Sequence, residues 1–214
     1  HGLGWTSQPA IVKWSVELRE MMNLVDSKKQ VKALKEVIVA GQDGKIYFVD
    51  LADGVATRDP IDLGYPLKGS VSLDTQGRPM LAVGQGISKM PSKTGPIGLY
   101  LYELIGQEEI MFLNGRKTKQ QTQHSTNGAF DGTALFDRVS DSMVVAGENG
   151  LLYTLKLNTT FDFKDTKTIT IDPETAYLRS KGNQEDNSVS IESSVAMYGP
   201  YAFTADKQGQ IHAV

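Results

Sequence analysis

The feature that most restricts this chain is a segment it contains more than once. Val37–Leu51 aligns without a gap on Met143–Leu157, placing Gly41 on Gly147, Asp43 on Asn149, Gly44 on Gly150 and Tyr47 on Tyr153. A third copy, Ala202–Val214, sets Gly209 and His212 at the Gly44 and Tyr47 positions. A fourth is split into Met80–Gly86 and Leu99–Leu104 by an insertion rich in Ser, Lys and Pro. Each copy runs from an apolar stretch through Asp-Gly, Asn-Gly or Gln-Gly into an alternating stretch of Val, Ile, Tyr and Phe. Such residues suit pleated, half-buried strands. Asp-Gly and Asn-Gly accept positive φ, which predicts a β-hairpin closed by a two-residue type I′ turn.

A further strand precedes each hairpin. Gly69–Asp74, Gly132–Asp137 and Ser193–Tyr198 match one another, and Pro9–Trp14 fills the slot in the first copy, with Trp14 at the strand end like Asp74 and Asp137. A fourth strand is expected around 58–64, 109–115 and 166–172. Four antiparallel strands per repeat without intervening helices predict an all-β chain, a β-propeller of about four blades. The blades fall at approximately 8–66, 67–116, 129–175 and 192–214, the last incomplete. The exception is 15–36, where Val16, Leu18, Met21, Met22 and Val25 recur at helical spacing behind a possible cap at Ser15. This predicts a helical insertion in blade one.

Composition narrows the function classes. Cysteine is absent, which removes thiol catalysis, disulfides and thiolate metal sites. The formal charge of −3 lacks the basic surplus of a nucleic-acid binder. No apolar run of about 18 residues offers membrane insertion by this segment. The chain begins at His1 without a signal-peptide core and reads as a mature form or an excised piece. An open ring leaves unpaired edges and an uncovered blade face. The expected partner is therefore the remainder of a longer chain or a second copy that completes the propeller.

The stretch Ala40–Leu51, with Gly-Gln-Asp-Gly followed by Lys-Ile-Tyr-Phe-Val-Asp, resembles the repeat of pyrroloquinoline-quinone-like (quinoprotein-like) β-propellers. Together with Gly4–Trp14, the helix at Leu18–Asp26 and Gly147–Leu157, it is similar to a narrower group of secreted or surface-anchored propeller proteins of Gram-positive gut-type bacteria. The resemblance implies the fold and an extracellular or cell-surface location. It does not carry the quinone site: the cofactor-binding members use adjacent cysteines, a stacking Trp and a calcium ion. Here cysteine is absent and both tryptophans, Trp5 and Trp14, lie in the first blade. No cofactor is expected, because fold alone does not supply activity.

The chemistry-bearing residues are sparse. His1, His124 and His212 show no ligand spacing, and His212 reads as a packing residue. No nucleophile elbow, Walker loop or zinc-protease motif occurs. Asp137, Asp141 and Glu148 flank one hairpin without the spacing of a calcium loop, so no metal site is expected. The polar stretches 115–128 and 180–190 read as connecting loops. One constellation follows from the repeat: Gln8, Lys68, Asp131 and Glu192 stand just before the innermost strands and should ring the mouth of the central channel, where propellers gather side chains into one concavity. They form either a site for a polar ligand or a network that neutralises the channel. The expectation is a non-catalytic extracellular binding domain with a protein or glycan ligand. The alternative is a glycan-active enzyme or degenerate quinoprotein using Asp131 and Glu192, in which case a Lys68 bridge to both carboxylates would count against catalysis.

Overall fold

The computed structural model describes residues 4–87, 89–90, 93–116, 128–179 and 190–214. Three four-stranded antiparallel sheets and one three-stranded sheet follow one another along the chain. Blade one comprises β1 (Ala10–Val12), β2 (Glu36–Ala40), β3 (Lys45–Asp50) and β4 (Ile61–Asp62). Between its first two strands stand the short helices α1 (Val16–Met21) and α2 (Asp26–Lys29), the first capped by the Ser15 hydroxyl, which accepts from Leu18 N–H. Blade two comprises β5 (Ser72–Leu73), β6 (Met80–Gly84), the side pair β7 (Lys89–Met90) and β8 (Lys93–Thr94), then β9 (Gly98–Glu103) and β10 (Glu109–Asn114). Blade three holds β11 (Leu135–Asp137), β12 (Ser142–Ala146), β13 (Leu151–Lys156), the side pair β14 (Thr160–Asp162) and β15 (Thr168–Thr170), and β16 (Glu174–Arg179). Blade four has β17 (Ala196–Tyr198), β18 (Tyr201–Ala205) and β19 (Ile211–Ala213).

The all-β propeller organisation with a last blade lacking its fourth strand is as the repeat predicts. Three details differ. The hairpin turns are not two-residue turns. Gly44 N–H donates to Gly41 O at 3.1 Å and Gly41 N–H to Lys45 O at 2.8 Å, and the same pair of bonds recurs at Gly147–Leu151 and Asp206–Gln210. Only the glycine of each turn, Gly44, Gly150 or Gly209, has positive φ. This is a three-residue loop ending in one left-handed glycine, which leaves Asp43 and Asn149 free to accept the N–H two residues on.

The second difference is the last strand of blade three. Residues 166–172 do not supply it, because β15 folds back on β14. The Asp162 carboxylate accepts the N–H groups of Lys164, Asp165 and Thr166, which closes that side hairpin and holds the acid down at a pKa of about 2. The fourth strand is β16, paired with β13 from Leu151↔Arg179 to Lys156↔Glu174, so blade three extends past residue 175. The third is Trp14. Register equates Val12, not Trp14, with Asp74 and Asp137, since Ala10 pairs with Ile38 as Ser72 pairs with Ala82 and Leu135 with Val144.

Alternation along the strands gives the blades two apolar faces, and the facing sides of consecutive blades pack together. Ile38, Ala40, Ile46 and Phe48 of blade one meet Leu81, Val83, Tyr100 and Tyr102 of blade two. The opposite face of blade two (Met80, Ala82, Leu99, Leu101) meets Met143, Val145, Tyr153 and Leu155 of blade three. Val144, Ala146 and Leu152 then meet Val195 and Ala202 of blade four. The first strands of consecutive blades touch: Gln8 N–H donates to Ser70 Oγ at 2.9 Å and Thr133 N–H to Ser194 Oγ at 3.0 Å. They are the innermost strands. A Cβ added at Gly84 would come within 1.8 Å of Phe130 O, so blade two approaches the following linker at a distance only glycine permits.

One buried ion pair locks the first two blades. Glu36 receives Arg58 through Nε (3.0 Å) and Nη2 (2.5 Å), together with Trp14 Nε1 (2.8 Å) and the Thr57 hydroxyl. Arg58 also donates to Leu104 O of blade two at 2.7 Å and lies over the Phe48 ring. Both charged side chains are fully buried, so removing one partner strands the other. Arg58→Met is expected to lower unfolding free energy by about 3–5 kcal/mol. Chemical denaturation of both proteins measures this, and a loss below about 1 kcal/mol would show that the pair does not hold the blades.

Candidate functional site

The site is built where the linkers between blades pass the hairpin turns. Register makes Trp5, Leu67, Phe130 and Ile191 equivalent, each the same distance before its blade's first strand. Leu67 N–H donates to Gly41 O (3.2 Å), Phe130 N–H to Gln85 O (3.0 Å) and Ile191 N–H to Gly147 O (3.4 Å), each reaching the hairpin of the preceding blade. The residue before it accepts from the hairpin of its own blade: Pro66 O from Gly86 N–H, Ala129 O from Glu148 N–H, Ser190 O from Lys207 N–H, and Gly4 O from Gln42 N–H. Leu67, Phe130 and Ile191 bury their side chains in the three interblade cores.

The next residue of each linker is thereby brought beside the second residue of its own blade's hairpin. The pairs are Thr6 with Gln42, Lys68 with Gly86, Asp131 with Glu148, and Glu192 with Lys207. Register makes Lys68, Asp131 and Glu192 equivalent, as the repeat spacing predicts. Gln8 does not belong with them. It is equivalent to Ser70, Thr133 and Ser194, inside the innermost strand region, and Thr6 holds the position assigned to it. The ungapped alignment of the first segment slid by two residues because no charged side chain marks Thr6.

Charge is arranged as alternating pairs. Lys68 Nζ lies 3.2 Å from Asp131 Oδ2, bridging blades two and three, and Lys207 pairs with Glu192 within blade four. Lys68 therefore does not bridge both candidate carboxylates. Asp131 Oδ1 is buried and makes no hydrogen bond to a described residue. Glu148, which sequence reasoning left aside as a turn carboxylate, is buried among these groups. Its pKa rises to about 7, first because burial penalises the carboxylate, then because Asp131 and Glu192 repel it, with Lys207 and Lys68 opposing. Lys207 was also missed. Both are legible once the hairpins are aligned, as charged residues following Gly147 and Asp206, where Gln42 and Gly86 stand in the other copies.

The other chemistry-bearing residues have structural partners. Asp141 accepts from Arg78 at 2.6 Å and from Thr159, and Arg78 also pairs with Asp74, so this set ties blade two to blade three. Asp137 accepts from Ser140. His212 is more than a packing residue: its Nε2 lies 2.7 Å from Asp206 Oδ2, joining strand to turn as Tyr47 does with Asp43 and Tyr153 with Asn149. Among the described residues, no three His, Asp or Glu side chains gather in a way that could hold a metal ion. His1, His124 and nearly all of the polar stretches 115–128 and 180–190 lie outside the described residues.

No protein-family model and no curated protein sequence matches the chain. Solved structures do. The computationally designed Ika4 protein matches at 13% identity and a TM-score of 0.50, covering 84% of each chain. U3-55K matches at 9% identity and a TM-score of 0.54, covering 98% of this chain and 52% of that one. The WD40 repeats of RRP9 match at 9% identity and a TM-score of 0.54, covering all of this chain and 52% of that one. The chain thus spans about half the length of these last two structures. At such identities the likeness concerns the fold, and it is that of a β-propeller.

Glu148 makes a measurable pH signature. Its folded pKa stands above the unfolded value of 4.5, so the folded state holds a proton that the unfolded state has lost between about pH 5 and 7. Stability contributed by the protonated form is present at pH 5 and is lost as pH rises through 7. Glu148→Gln is expected to be more stable than the parent at pH 8, by on the order of 2–3 kcal/mol, with the gap closing by pH 5. Denaturant midpoints at both pH values test this, and an equal gap at the two would contradict it.

Proposed function

We propose that the protein is a non-catalytic binding module whose channel mouth takes a protein segment presenting a basic side chain. The observation that carries this reading is the convergence of Asp131, Glu148 and Glu192 on one end of the channel, with a buried Asp131 oxygen left for a further donor. Three acids against Lys68 and Lys207 make the mouth a net acceptor of positive charge above neutral pH. The propeller likeness supports an interaction scaffold, and the quinoprotein-like repeat supports placing it outside the cell or on the surface of a bacterium. A quinone has no cysteine pair to hold it, and Trp14 is committed to Glu36. We read the module as working without that cofactor.

A second reading retains a specific observation. A carboxyl poised near pH 7 beside Asp131 is what general acid catalysis on a glycan requires. Against it, Asp131 is engaged by Lys68 and Glu192 by Lys207, which leaves neither as a free nucleophile or base.

The test is calorimetry with short lysine- and arginine-containing peptides, the same peptides with glutamine in those places, and neutral oligosaccharides. Basic peptides are expected to bind, more tightly at pH 8 than at pH 6, and about tenfold more weakly to Asp131→Asn. Lys164→Ala, on the side hairpin of blade three, should bind like the parent. Failure of every basic peptide, or binding indifferent to Asp131→Asn, would overturn the reading. Turnover of chromogenic glycosides lost in Glu148→Gln would replace it with the second.

A further inference from the structure

The face of a blade that looks toward the next blade meets the rear face of that neighbour three times in this chain. One of each remains uncovered. Among the described residues no apolar cluster joins blade four to blade one, so the blades form an open arc. The uncovered residues occupy positions that are buried elsewhere. Trp5 is 68% exposed, whereas Phe130 at the same position is 0%. Tyr47 is 38% exposed against 1% for Tyr153, with which it shares register and turn partner. On the last blade, Ile211 is 79% exposed and Ile46, its counterpart, 0%. Around Trp5 and Tyr47 the surface forms a concavity of about 250 Å³ with Gly4, Val39, Gly41 and Asp43. In blade three the same place is filled by the packing of Phe130 against Tyr153 and blade two.

We propose that a second copy of this chain covers both faces, head to tail, with blade four of each copy seated on blade one of the other. The two faces are complementary because they repeat an interface the chain already makes between its own blades. A partner with a different surface would need to reproduce both halves of that interface. A second copy possesses both. The whole arc also overlays on about half of the RRP9 and U3-55K structures, so an assembly of that size has room for a second arc. Two such arcs related by a twofold along the channel close the ring with two identical interfaces, the condition under which a heterologous contact ends in a dimer and not a filament. In this arrangement Trp5 takes the role of Phe130, donating its N–H to the neighbouring hairpin and burying its indole behind it.

Light scattering over a wide range of protein concentration tests the assembly. The expected mass is twice the 23.4 kDa of one chain. Trp5→Asp and Ile211→Asp, both at exposed positions, should each fold and each give a single-chain mass. Mixed together, they should regain part of the doubled mass, because the mixed pair has one unaltered interface. A single-chain mass for the parent at every concentration would overturn the proposal. So would a dimer broken by only one of the two variants, which would mean that like faces meet. Trp14 is buried within the chain, so a blue shift of Trp5 emission on assembly that disappears in Ile211→Asp, which keeps both tryptophans, gives a second readout of the same contact.

Discussion

The structure depends on a contact of very few atoms: a linker residue gives its N–H to the hairpin behind it while its side chain enters the core between two blades. Leu67, Phe130 and Ile191 each do this, and Pro66, Ala129 and Ser190 return a carbonyl to the hairpin ahead. Sheet twist and interdigitating side chains already favour one angle between packed sheets, and the linker bonds act on top of that packing. The paired bonds, one backward and one forward, set the spacing of consecutive hairpins and hence the convergence of the first strands. Gly84 shows how tight the result is, with the backbone of Phe130 occupying the space of its missing side chain. The candidate site follows from the same contact, because it sets the residue after each linker anchor beside the second residue of its blade's hairpin.

Charge is used in two distinct ways. Away from Lys68 and Lys207, Arg58 holds Glu36 of its own blade and donates across to Leu104 O of blade two, and Arg78 holds Asp74 of its own blade and reaches across to Asp141 of blade three. Arginine suits this role because its planar fork satisfies several acceptors at once. At the candidate site the cations are lysines, each held by one carboxylate and partly exposed. Glu148 sits among them buried and raised in pKa. The first arrangement specifies how blades meet; the second leaves acceptor capacity over for something else.

The blade count, the strand sequence and the helical insertion were readable because each rests on periodicity that tertiary contacts only reinforce. The details that shifted share a different origin. The turn type depends on whether Asp43 and Asn149 spend their side chains on the following N–H, which Asp-Gly and Asn-Gly dipeptides permit in either form. The fourth strand of blade three was displaced because one Asp162 carboxylate gathers three N–H groups and diverts the chain into a side hairpin. Repeat spacing puts Lys68, Asp131 and Glu192 at one register position, whereas Gln8 stands two residues beyond their counterpart Thr6, because the first repeat carries neither charge nor glycine there. Glu148 is invisible as a perturbed group in sequence, since its pKa comes from burial beneath carboxylates supplied by two blades.

Amide hydrogen exchange resolved at Leu67, Phe130 and Ile191 tests most directly whether the linker contacts hold the blades together. These three amides are expected to exchange only with global unfolding, at the same free energy as the central strands β6 and β12. Exchange as fast as that of exposed turn amides, while the strands stay protected, would mean that the blades stand without their linkers and that the contact is a consequence of the fold and not its cause.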